Sequence, residues 1–193
     1  MSRVVHDFHE CLARSQANQD AEWWPAVYKA AFPDMVSIQK ITSDGWAQRG
    51  GIDRIVILRS GKTLTVDEKV RAKSYDDILL ERWSNTERKS PGWIQQALAC
   101  DYIAYAIIPT KTCYMLPFQQ LRVAWIRNGR EWIVKYPEIK AVNKGYVTTS
   151  VAVPVGVLMG AIQDAMTVSW SGQEPYDPQK HETTYVNQGR LFE

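Results

Sequence analysis

Apolar positions change their spacing several times along the chain, and each change marks an element. Residues 4–16 and 20–32 carry a helical period, and Pro33 closes the second run. "MVSIQKI" (35–41) is rich in β-branched residues and predicts a strand. "GIDRIVILRSGKTLTVDEKVR" (51–71) alternates apolar and polar positions on both sides of a Ser-Gly pair, which predicts a hairpin. "YDDILLERWS" fits a strand or a helix, and Ser90-Pro91-Gly92 breaks the chain before "WIQQALA", a short helix. "DYIAYAII" and "CYMLPF" predict two strands joined through Pro-Thr-Lys-Thr. "QQLRVAWIRN" predicts an amphipathic helix with Leu121, Ala124 and Trp125 inward. "GYVTTSVAVPV" predicts a strand that feeds the apolar helix "GVLMGAIQDAM".

Helices interspersed with a central run of strands imply a layered α/β or α+β domain. Neither a repeat nor a Gly/Ser linker divides the chain, so residues 1–169 are expected to form one domain. From about Trp170 the sequence is polar, Pro-containing and aperiodic, which predicts a flexible tail over 170–193.

Composition narrows this little. At 193 residues, with 45% hydrophobic and 23% charged positions, the chain matches a soluble globular protein. No apolar run reaches the roughly 18 residues that span a bilayer, and the acidic, His-containing start is unlike a signal peptide. The expectation is therefore a cytoplasmic protein with no membrane partner. Cys11, Cys100 and Cys113 are odd in number and widely spaced, which fits a reducing compartment, and Cys100 and Cys113 read as core packing. His6, His9 and His181 read as solvated surface residues. A net charge of +2 neither requires nor excludes a polyanion.

The hairpin carries the chemistry. Along its second strand Thr65, Asp67, Lys69 and Arg71 share one face, with Leu64, Val66, Glu68 and Val70 on the other. A two-residue loop, Ser60-Gly61, sets Asp53 against Glu68, which is repulsive. A three-residue loop, Ser60-Gly61-Lys62, pairs Asp53 with Lys69 and Arg54 with Glu68, both attractive, and is the register expected. It gathers Asp53, Asp67 and Lys69 on one face. Two carboxylates beside an ammonium suit a hard divalent cation such as Mg²⁺, which takes one or two carboxylates with water and substrate phosphate. The competing account is a set of ordinary cross-strand ion pairs on a solvated hairpin.

"GIDRIV…TVDEK" resembles the Asp…(Asp/Glu)-x-Lys signature of the PD-(D/E)XK nuclease superfamily. The run through "LLERWS", "PGWIQQ", "DYIAYAI" and "YMLPF" is similar to its small phage-type members, with Ile52 standing where the name-giving Pro would be. The resemblance implies a restriction-endonuclease-like fold, a central mixed β-sheet flanked by helices, and a Mg²⁺-dependent DNA nuclease in which Mn²⁺ can substitute. It implies Asp53 and Asp67 as metal ligands, with the Glu68 carbonyl as a further one, and Lys69 as the catalytic lysine. Many members add a Glu from the preceding helix; Glu22 occupies that place, Glu10 competes with it, and Glu81 is a further candidate.

Arg71, Lys73 and Arg82, with Arg88, Lys89, Arg122, Arg127 and Arg130, supply cations of the kind that contact DNA phosphates. Gln95 or Gln96 could touch phosphate or water, and Trp46, Trp93, Trp125 and Trp132 could stack on bases or fill the core. "QGRLF" (188–192) resembles the Gln-x-x-Leu-Phe peptide that binds the bacterial sliding clamp, with Gln188 as polar pin and Leu191 and Phe192 as anchors. A chance pattern, or these residues folding back on the domain, would look the same. An RNA-directed nuclease and a non-catalytic binding module on the same fold remain alternatives, and oligomeric state is not legible.

Overall fold

The structure, a computed structural model, describes residues 21–41, 50–170 and the backbone of 185–186. The expected helix over 4–16, Cys11, His6, His9, Glu10, Trp46, His181 and the clamp-like residues Gln188, Leu191 and Phe192 lie outside the described residues. The class is mixed α/β, and its strands divide between two sheets. Two compact units result. One takes Tyr75–Ala97 and Gln119–Ile162; the other takes the described residues of Asn18–Ser74, Leu98–Phe118 and Gln163–Glu193. No helix among the described residues is long and apolar enough to cross a membrane.

The second of these units holds the predicted hairpin. Helix α1 (Trp24–Ala31) starts with Pro25 in its first turn and gives way to strands β1 (Met35–Lys40), β2 (Arg54–Leu58) and β3 (Thr63–Arg71). After the chain passes through Tyr75–Ala97, strands β6 (Tyr102–Ile107), β7 (Thr112–Pro117), β10 (Met166–Ser169) and β11 (Tyr185–Val186) complete one sheet in the order β1-β2-β3-β6-β7-β10-β11. All its neighbours are antiparallel except β3 and β6, which run parallel. That parallel entry is anchored by Asp101, whose Oδ2 accepts from the Thr65 N–H at 2.8 Å and from Thr65 Oγ1 at 3.0 Å.

One face of this sheet packs under α1. Val56, Leu64, Val66, Ala104, Ala106, Cys113, Met115 and Val168 join Trp24, Val27 and Tyr28 in the core. The small Ala104 and Ala106 leave room for the aromatic side of the helix. Trp24 and Tyr28 stack at 5.6 Å, and Trp23 stacks on Trp170 at 4.5 Å.

The other unit is built on a four-stranded antiparallel sheet, β5-β4-β9-β8: β4 (Asp77–Asn85), β5 (Ser90–Pro91), β8 (Glu138–Asn143) and β9 (Tyr146–Pro154). Helices α2 (Phe118–Lys135) and α3 (Val155–Ala161) flank it in sequence. Ile78 and Leu80 pair with Val153 and Val151, and all four are buried. Leu121, Ala124 and Trp125 form the buried stripe of α2, which runs on to a buried Trp132.

Three differences from the sequence reading have physical causes. "WIQQALA" forms turns rather than a helix, because Gln95 Nε2 donates to the Arg82 carbonyl and Gln96 Nε2 to the Pro91 carbonyl. Seven residues are too few for a helix to persist without tertiary support. Strand β8 is mostly exposed and carries charges, so it has no apolar alternation to announce it. "YDDILLERWS", which fitted a strand or a helix, is a strand, β4, and it lies in a second sheet where a single central sheet was expected, because its partner is the apolar run of β9.

Candidate functional site

The β2–β3 hairpin turns through Arg59-Ser60-Gly61, one residue earlier than expected. Leu58 N–H donates to the Lys62 carbonyl at 2.9 Å, and Gly61, at φ +84°, takes the left-handed place that ends such three-residue loops. Moving the loop by one residue slides the pairing by two: Arg54 faces Val66 and Val56 faces Leu64. A two-residue slide keeps every side chain on its face. It removes the expected Asp53–Lys69 pairing and turns Asp53 toward Asp67 instead.

Asp53 sits just ahead of β2 with its backbone held on both sides. Its carbonyl accepts from the Ile41 N–H and its N–H donates to the Val66 carbonyl, each at 2.9 Å. Its side chain reaches past the end of the ladder, where Oδ2 accepts a 2.7 Å hydrogen bond from the Glu68 N–H. In an extended strand a residue's N–H and C=O lie on the same edge, so the Glu68 carbonyl points to the Asp53 side as well.

Asp67 is 3% exposed, and Lys69 Nζ lies 2.6 Å from its Oδ1. Burial raises the Asp67 carboxyl to about 6; Lys69 pulls against the rise, and Asp53 adds to it through its charge and a hydrogen bond. Asp53, Asp67 and Lys69 therefore meet on one face, and the repulsion between the acids is relieved by the ammonium and by proton retention. Cys100 is buried beside this group: burial, then the Asp67 charge, push its thiol up to about 12. A thiol so held is a packing residue, not a nucleophile.

Glu68 looks out of the opposite face, into the α1 core. Its Oε1 accepts from Tyr28 Oη at 2.8 Å and from Arg54 Nε at 2.7 Å, so the expected Arg54–Glu68 attraction is present as a diagonal ion pair. Its Oε2 is buried with no partner among the described residues. Burial lifts this carboxyl to about 7 against the pull of Arg54 and of the Tyr28 hydrogen bond. Tyr28 and Arg54, which hold it, were outside the candidate site in the sequence reading. Alternation identifies the face of Glu68 and the hairpin supplies Arg54, but Tyr28 comes from a helix 40 residues away.

Arg71 follows Lys69 on the same face of β3, and Lys73 is exposed just beyond the strand. Glu22 is exposed ahead of α1 and forms no three-member metal-holding group with Asp53 and Asp67. The described residues contain no group of three His, Cys, Asp or Glu able to hold a metal ion. Glu81 and Arg82 belong to β4 in the other unit, where Arg82 meets Glu138 at 3.9 Å and lies over the Trp83 ring.

Two carboxylates, a main-chain carbonyl on the same edge and an adjacent ammonium fit Mg²⁺, which keeps several waters and needs only one or two protein carboxylates. They do not fit a metal that demands three or four side-chain ligands. Comparison of the chain with protein-family models, with curated proteins and with solved structures finds no match.

Proposed function

We propose that this protein is a Mg²⁺-dependent DNA nuclease built on a restriction-endonuclease-like sheet. The single observation that carries the reading is the convergence of Asp53, Asp67 and Lys69 beside β3, with Asp53 tied to the Glu68 main chain. The hairpin followed by a parallel β6 also supports it, since β3 then lies inside the sheet and its end is held rigidly.

Asp53 and Asp67 would hold the cation, with the Glu68 carbonyl as the third protein oxygen. A divalent ion so held supplies Lewis acidity at the phosphodiester and acidifies nearby water. Lys69 gives a hydrogen-bond donor at the attacking water and offsets the negative charge that grows on the phosphoryl oxygens. Arg71 and Lys73 extend the same side with cations for backbone phosphates, contacts that position DNA without reading its sequence. A tail peptide of Gln188, Leu191 and Phe192 would add attachment to the sliding clamp, a role separable by deleting residues 188–193.

The test is cleavage of labelled linear, circular, single-stranded and four-way-junction DNA with Mg²⁺, with Mn²⁺ and with chelator. Metal-dependent cleavage that disappears in Asp67→Asn supports the reading. Cleavage of none of these substrates with either metal, by folded protein that binds DNA, rejects it in favour of a non-catalytic module.

A further inference from the structure

Between β4, the turn after β5 and α2, the four-stranded unit holds a cleft of about 370 Å³. Its size falls in the range of small-molecule sites. Every charged residue lining it is an arginine: Arg82, Arg122 and Arg130. The walls are aromatic and aliphatic, with Trp83, Trp125 and Ile94. Arg82 lies over the Trp83 ring, 5.1 Å from its centroid, so indole and guanidinium form a paired flat surface. Gly129 lies against the Trp125 ring, and a Cβ there would come within 3.0 Å of it. Gln95 commits its Nε2 to the Arg82 carbonyl, which leaves its Oε1 as an acceptor at the cleft.

Flat apolar walls, a ring of cations and one fixed amide acceptor match a ligand that is planar, aromatic and anionic. We infer that the cleft binds one unpaired nucleotide of a nucleic-acid strand, the base on the Trp83 side and the phosphate on Arg122 and Arg130. A paired base inside a duplex hides its faces in the stack, so the occupant is single-stranded. Arg130 is exposed at the rim, where it can meet a phosphate without disturbing the fold. The inference shares with the proposed function the premise of a nucleic-acid ligand, but uses none of Asp53, Asp67 or Lys69.

The experiment is binding of the full chain, in chelator, to a 5′-phosphorylated dT tetranucleotide, to its abasic counterpart and to pyrophosphate. Trp83→Ala, Arg130→Glu and, as a control that also removes a cation, Lys62→Ala are compared, with thermal melts to check folding. The tetranucleotide is expected to bind, its abasic counterpart about ten-fold more weakly, and Trp83→Ala and Arg130→Glu to lose about ten-fold or more while Lys62→Ala does not. No binding by the wild-type chain, equal binding of the abasic strand, pyrophosphate competing as well as the tetranucleotide, or unchanged affinity in Arg130→Glu overturns the inference. Metal-dependent cleavage with no effect of the cleft variants on tetranucleotide binding would sink the cleft and leave the nuclease standing. Tetranucleotide binding lost in the cleft variants, with no cleavage under any metal, would do the reverse.

Discussion

Asp53 Oδ2 accepts its 2.7 Å hydrogen bond from the Glu68 main-chain N–H, so the first acid of the pair is fixed by the strand that carries the second. The bond closes the end of the β2–β3 ladder, which has Arg54 opposite Val66 as its last pair. It gives one carboxylate two jobs, holding the strand end and facing Asp67.

Those two jobs separate by substitution. Asp53→Asn can still accept from Glu68 through its amide oxygen, whereas Asp53→Ala leaves that N–H without its partner. Both variants should lose metal-dependent cleavage. Only Asp53→Ala should lose about 1–3 kcal/mol of stability, measured by urea unfolding. Equal stability in the two variants would show that the hydrogen bond does not support the strand.

Lys69 sits against Asp67 and is half-buried, so its ammonium is directional rather than a loose surface charge. Lys69→Met keeps the apolar stem and removes the donor. Cleavage should fall by about 10²–10³-fold, the usual consequence of losing one transition-state donor. DNA affinity, measured by polarisation, should change less than three-fold.

Both buried acids of β3 bear on pH. Burial raises Asp67 to about 6 and Glu68 to about 7, so the folded chain holds these protons more tightly than the unfolded chain. Their contribution is fully present below the ordinary carboxylate range, and is lost as pH rises through 6 to 7. The urea midpoint should therefore decline between pH 5 and pH 8. Mg²⁺ or Mn²⁺ should restore stability at pH 8, where Asp67 is ionised, through binding to the folded state alone. That recovery should vanish in Asp67→Asn.

Tyr28 donates to Glu68 from the core of α1, and this bond favours the ionised carboxyl. Tyr28→Phe removes the donor and no apolar volume of note. It should cost about 1–2 kcal/mol at pH 8 and less at pH 5, where the carboxyl is protonated. A loss that is the same at both pH values would mean that Glu68 does not titrate in this range.

Gly92 follows β5 with the Glu81 carbonyl oxygen where a Cβ would stand. Its N–H donates to the Arg82 carbonyl at 2.8 Å, so the turn cannot back away without losing that bond. Gly92→Ala should destabilise the four-stranded unit by several kcal/mol, since backbone blocks backbone. Hydrogen exchange along β4 would report the opening.

How far could these features be read beforehand? The alternation of "TLTVDEKVR" places Asp67 and Lys69 together and Glu68 opposite, because the pleat repeats every two residues whatever surrounds it. Gly61 likewise marks the hairpin turn through its tolerance of positive φ. The loop's starting residue was less legible, since charge pairing favoured a register that the glycine's place in the loop overrules. Strand β8 was silent because an exposed edge strand buries too little to show a period. The role of Glu22 was equally unreadable, since helical spacing says nothing of which end of a sheet a helix reaches.

By itself, then, the sequence determined the local quantities: strand faces, the helical stripe of α2, the glycine turn, and the residue types that suit a divalent cation. The tertiary structure alone decided that Asp53 faces Asp67 rather than Lys69, and that Tyr28 joins Arg54 on Glu68. It also decided that β4 leaves the first sheet and that three arginines surround one cleft. The division follows from range. Pleat and helix periods are set by covalent geometry within a few residues, whereas register, sheet membership and the desolvation that raises a buried acid depend on chain segments far away in sequence.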